Sequence, residues 1–75
     1  MKIKLSRHAK RRAKFYKIPE PVISDILTSI NLHQGKHAII REVAGFQYPL
    51  KIVVSVTGDV GTVITNYPLK KGRKK

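Results

Sequence analysis

The chain is predicted to be a small α+β domain of order β-α-α-β-β-β, with two N-terminal helices packed on one face of a twisted antiparallel sheet. Three observations point there. Apolar residues recur at helical spacing within residues 7–16 and 20–30. Runs with strand character then take over from Lys36, alternating most clearly from Leu50. Gly58-Asp59 and Gly61 mark a tight hairpin between the last two runs.

Each element has its own signal. KIKL (Lys2 to Leu5) alternates polar and apolar residues, as in a short edge strand with Ile3 and Leu5 inward. Ser6 is placed to cap a helix over residues 7–16. At about 100° per residue, Leu5, Ala9, Ala13 and Tyr16 share one arc, and Arg7, Lys10, Arg11 and Lys14 face water opposite. His8, Arg12 and Phe15 form a third stripe along the border of the apolar arc. Ile18-Pro19 breaks that helix, because the residue before proline is driven out of the α region. A second helix, Glu20 to Ile30, turns Val22, Ile23, Ile26, Leu27 and Ile30 inward, with Glu20 at its positive N-terminus. Strands follow at Lys36 to Ala44, Leu50 to Thr57 and Val60 to Tyr67. Leu50, Ile52, Val54 and Val56, joined by Ile64, are expected to face the helices. Lys51, Val53, Ser55, Thr65 and Tyr67 then point to the open face. Residues 1–69 form one domain and residues 70–75 a basic tail.

Charge narrows the function. The 75 residues carry 16 Lys and Arg against 4 Asp and Glu, a net charge of +12. Residues 1–18 hold eight of the cations and residues 70–75 hold five, leaving the middle nearly neutral. Such concentration repels itself in a compact fold unless a polyanion offsets it. Nucleic acid is the leading partner, ahead of an acidic protein or an anionic membrane. There are no cysteines, so disulfides, thiolate metal sites and cysteine nucleophiles are excluded, and a reducing, cytoplasmic location is expected. No apolar run approaches the roughly 20 residues that span a bilayer.

His8 and Arg12, one helical turn apart, read either as an acid/base group beside a phosphate clamp or as a packed imidazole beside a solvated cation. His33 and His37 have a spacing seen among zinc ligands, but Gly35 interrupts them and no carboxylate completes a set, so no metal or other cofactor is expected. The acids are scattered, against a two-metal nuclease. No glycine-rich nucleotide cradle or serine elbow is present. The open sheet face, with Lys51, Thr65 and Tyr67, offers phosphate donors and a ring for base stacking, or is an ordinary solvated face. Lys70 and Lys71 follow the last strand closely enough to extend such a site.

The segments LSRHAKRRAKFYKIPE, YPLKIVVSV and TVITNYPLKKGR resemble small prokaryotic domains of the RelE/ParE-like toxin superfamily, near the BrnT-type toxins. The resemblance runs over about residues 3–73. It rests on a His near the first helix, an Arg one turn later and a final strand ending Thr-x-Tyr. It implies a metal-independent endoribonuclease, ribosome-bound or free, that a small acidic antitoxin neutralises. In that chemistry His8 serves as general base or acid and Arg12 holds the phosphate, while Lys51 or Lys70 adds charge. Tyr67 donates a proton or stacks a base, and Thr65 bonds a phosphate oxygen. Arg7, Arg11, Arg41 and Lys71 complete the proposed RNA contacts. The sequence departs from RelE-type toxins in having few cations in its central strands, with Arg41 and Lys51 the ones inside them. ParE-like relatives inhibit DNA gyrase instead, and some basic domains of this size only bind nucleic acid.

Overall fold

A computed structural model describes residues 2–69; the tail with Lys70 and Lys71 lies outside the described residues. The elements are β1 (Lys2–Leu5), α1 (Arg7–Phe15), α2 (Glu20–Thr28), β2 (Gly35–Arg41), β3 (Leu50–Thr57) and β4 (Val60–Pro68). Their order is the expected one, but the sheet is mixed, not antiparallel. Its strands lie in the order β1-β4-β3-β2. β2, β3 and β4 form an antiparallel meander, and β1 runs parallel to β4 at the far edge. The pairings fix the directions: two antiparallel steps carry β2 through β3 to β4, and the parallel β1–β4 pairing gives β1 the same direction as β4. β2 therefore runs with β1.

α1 begins where a cap is available. The Ser6 hydroxyl accepts from the Ala9 N–H at 3.0 Å and donates to the Ile64 carbonyl at 3.0 Å, while the Ser6 N–H bonds the Val63 carbonyl at 2.9 Å. One serine thus starts the helix and fixes it to β4. Ala9 and Ala13 are buried, and the small side chains let the helix backbone approach the sheet. The helix ends in a Schellman motif: the Ile18 N–H reaches the Ala13 carbonyl at 2.8 Å and the Lys17 N–H the Lys14 carbonyl at 3.2 Å. Ile18 is then delivered, buried, into the core.

Lys17 holds the left-handed position of that motif at φ 58°, where a side chain costs about 1–2 kcal/mol. Lys17→Gly removes that cost and loses roughly 0.4–1 kcal/mol through the freer unfolded chain. A net gain of about 0.5–1 kcal/mol is expected, or a Tm rise of roughly 2–8 °C for a domain of this size. Thermal melts check it, and an unchanged or lowered Tm contradicts it.

α2 supplies Ile23 and Leu27 to the core, with Val22 and Ile26 packed against it. It stops at Thr28, short of the expected Ile30. The Thr28 hydroxyl bonds the Ser24 carbonyl at 2.9 Å and the Ser29 hydroxyl the Ile26 carbonyl at 2.8 Å, so side chains take carbonyls of the last turn. β2 ends at Arg41 and not at Ala44, because Arg41 pairs with Leu50, the first residue of β3. The adjacent Pro49 has no N–H to extend the ladder.

The largest departure is in β4. Its pairing with β3 steps from Val53–Thr65 to Val54–Val63, which leaves Ile64 as the extra residue of a bulge. Ile64 therefore does not join the core as expected. Val63 does, and beyond the bulge so does Asn66, both fully buried. The Asn66 amide donates to the Ala9 carbonyl of α1 at 3.2 Å. The bulge sits where Ser6 grips the Val63 and Ile64 carbonyls, so helix cap and bulge are one joint.

Candidate nucleic-acid interface

The helices cover only one face of the sheet. Ala9, Ala13, Ile23 and Leu27 form one core with Leu50, Ile52, Val54, Val56 and Val63. The alternate residues of the strands consequently face away from both helices. Register, more than sequence order, decides what assembles there. Lys36 pairs with Ser55, Ser55 with Thr62 and Thr62 with Lys4, making one continuous row across the sheet. The next row sets Ala38 beside Val53 and Thr65, and the next sets Ile40 beside Lys51 and Tyr67. Lys2 pairs with Val60 at the other end.

Lysines thus stand at the margins and within this face, hydroxyls from Ser55, Thr62 and Thr65 lie between them, and the Tyr67 ring lies at one end. Among the described residues no strand contains an acid; Glu20 and Asp25 are in α2, Glu42 follows β2 and Asp59 is in the β3–β4 turn. Lys4 and Lys36, three strand spacings apart, are separated by about 14 Å at roughly 4.8 Å per strand. At that distance in water their repulsion is only about 0.3 kcal/mol. The fold tolerates the charge, and the face remains a field of donors for an anionic chain.

The expected site residues divide between two surfaces. Lys51, Thr65 and Tyr67 belong to the open face and are half-buried within it. Arg7, His8, Arg11 and Arg12 are exposed on α1, which packs on the opposite side of the sheet through Ala9, Ala13 and the Asn66 amide. Tyr67 and Asn66 are neighbours on an extended strand and point to opposite faces. His8 and Arg12 are therefore not brought to Tyr67. Arg41 pairs with Leu50 and so falls on the helix side of its strand, away from Lys51.

Lys2, Lys4 and Lys36 are the functional candidates that sequence reasoning passed over. The outward positions of Lys2 and Lys4 were implied by the alternation of KIKL, but KHAII does not alternate and only its pairing with β3 places Lys36 outward. The parallel β1–β4 pairing then brings the N-terminal lysines onto the same face as Lys51. His37 bonds the His33 carbonyl through Nε2 at 2.7 Å. Among the described residues no three His, Asp or Glu side chains gather at one point. No helix among the described residues is long and apolar enough to cross a membrane.

No family model, curated protein or solved structure matches the chain. Function is therefore read from the two surfaces themselves.

Proposed function

We propose that the protein binds single-stranded nucleic acid across the open face of its sheet, without cleaving it. One observation supports this above the rest: register aligns Lys2, Lys4, Lys36 and Lys51 with Thr62, Thr65 and Tyr67 on an uncovered face whose strands carry no carboxylate. Lysines and hydroxyls suit phosphates, and the tyrosine ring suits an unpaired base, whose π-face a duplex would hide. RNA as the class of nucleic acid, a cytosolic setting and a RelE/ParE-like kinship of the fold belong to the proposal through the sequence resemblance. Antitoxin, ribosome and gyrase partners rest on that resemblance alone.

Binding is favoured over endoribonuclease activity on geometric grounds. Cleavage through the 2′-OH needs a base, a leaving-group acid and a cation focused on one phosphate. His8 and Arg12 lie across the sheet from Tyr67, so these groups share no focus. Incubation of the full chain with single-stranded RNA in excess EDTA tests this. The expected result is intact RNA held in a salt-sensitive complex. RNA cleaved by the wild type and spared by His8→Ala would establish the nuclease instead.

A further inference from the structure

We infer that α1 carries a second nucleotide-binding site, separate from the sheet face, in which an unpaired base stacks on Phe15 while Arg11 and Arg12 hold its phosphates. The inference rests on the nucleic-acid reading above for the class of ligand, but on different residues.

Phe15 is 72% exposed, although Tyr16 beside it packs against the core. The two rings meet in a T-shaped contact, with centroids 4.9 Å apart and an interplanar angle of 84°, which occupies at most one face of the Phe15 ring. At helical spacing His8, Arg11, Arg12 and Phe15 fall on one flank of the helix, and together they line a shallow groove of about 220 Å³. Drug-sized ligands occupy pockets of about 300–1,000 Å³, so this groove suits one flat ring and its phosphate.

The composition of the flank selects the occupant. A protein partner covering Phe15 would also have to neutralise or desolvate two guanidinium groups. A nucleotide supplies both complements, a π-face for the ring and an anion for the arginines. The helix itself has reason to attract one. Arg7 with Arg11 and Lys10 with Lys14 are like charges one turn apart, each pair destabilising by a few tenths of a kcal/mol. α1 contains no acid to relieve them, and a bound phosphate does.

The sheet and its core stand between this groove and the open face, so one short strand does not fill both. Titration of the full chain with a single-stranded oligonucleotide of about six nucleotides, within the roughly 4–16 that a small binding face covers, separates the sites by stoichiometry. The wild type is expected to take up an oligonucleotide on each face. A Phe15→Ala, Arg11→Gln variant is expected to lose one equivalent and keep the other. A Lys36→Glu, Lys51→Glu variant is expected to lose the opposite one. Because Phe15 and Arg11 are exposed, their replacement leaves the core untouched, which circular dichroism verifies.

The outcomes are distinct. If the wild type binds nothing, both readings fall. If it binds a single equivalent that the Phe15 variant retains in full, the α1 site is refuted and the sheet face stands. If that single equivalent disappears in the Phe15 variant and survives in the lysine variant, the α1 site stands and the sheet face is refuted. For stacking specifically, Phe15→Ala alone is expected to weaken the α1 equivalent about fivefold or more. It should leave binding of a duplex of the same length unchanged, and equal losses for duplex and single strand would overturn the stacking role.

Discussion

Asn66→Asp is expected to leave the protein largely unfolded at neutral pH. Asn66 is 0% exposed, its amide donates to the Ala9 carbonyl at 3.2 Å, and its Oδ1 has no partner among the described residues. The aspartate keeps the shape, loses the donor and turns a buried carboxylate towards a carbonyl oxygen. An unpaired buried charge costs about 3–5 kcal/mol. Domain stabilities are about 5–15 kcal/mol, and one of this size lies towards the lower end. Burial raises the folded-state pKa of the new carboxyl above its unfolded value. The variant is then most stable below the unfolded value of about 3.9 and loses that stability as pH rises through the folded one. Refolding on acidification, followed by far-UV circular dichroism, is the expected signature. Asn66→Leu is the control: it removes the amide donor and the orphan oxygen together without burying a charge, and should cost about 1–3 kcal/mol and show no refolding on acidification. An aspartate variant as stable as wild type at neutral pH would show that the α1–β4 joint does not depend on this amide.

Reversing charge on the sheet face is expected to have the second large effect, this time on binding. Lys36 and Lys51 lie on the open face in rows separated by the Ala38–Val53–Thr65 row. Each phosphate contact to a single strand contributes a salt dependence of about 0.7 log units per decade. Losing two such contacts at 0.1 M salt lowers affinity about 25-fold by that scaling, and the glutamates of Lys36→Glu, Lys51→Glu add repulsion. An overall loss beyond 25-fold for the sheet-face equivalent is therefore expected, with the melting temperature little changed because neither side chain is in the core. Fluorescence anisotropy of a labelled oligonucleotide measures it. Affinity within a fewfold of wild type would remove this face from the interface.

Much of the architecture was legible in the sequence because local signals and tertiary demands agreed. Ser6 reads as a cap and is one; Ala9 and Ala13 read as the helix's inward face and are buried. Thr65 and Tyr67 read as outward-facing and share the open face with Lys51. The errors cluster where a residue's role is set by distant partners. Ile64 has the composition of a core residue, yet the bulge excludes it in favour of Val63 and an asparagine, and nothing local in VITNY announces a bulge. The direction of β1 is fixed by its pairing with the distant β4. That direction in turn determines that Lys2 and Lys4 reach the field around Lys51. The expected convergence of His8, Arg12 and Tyr67 treated helix and strand as facing one another across a site. The Asn66–Ala9 bond shows the helix lying on the other side.

The most direct test of the sheet-face interface is the salt dependence of single-stranded RNA binding, comparing wild type with a variant in which Lys2, Lys4, Lys36 and Lys51 are all glutamine. If these side chains meet phosphates, the slope of log K against log salt should become shallower by about 2.8, at roughly 0.7 for each contact removed. An unchanged slope would show that the cations elsewhere in the chain hold the RNA and that the open sheet face does not.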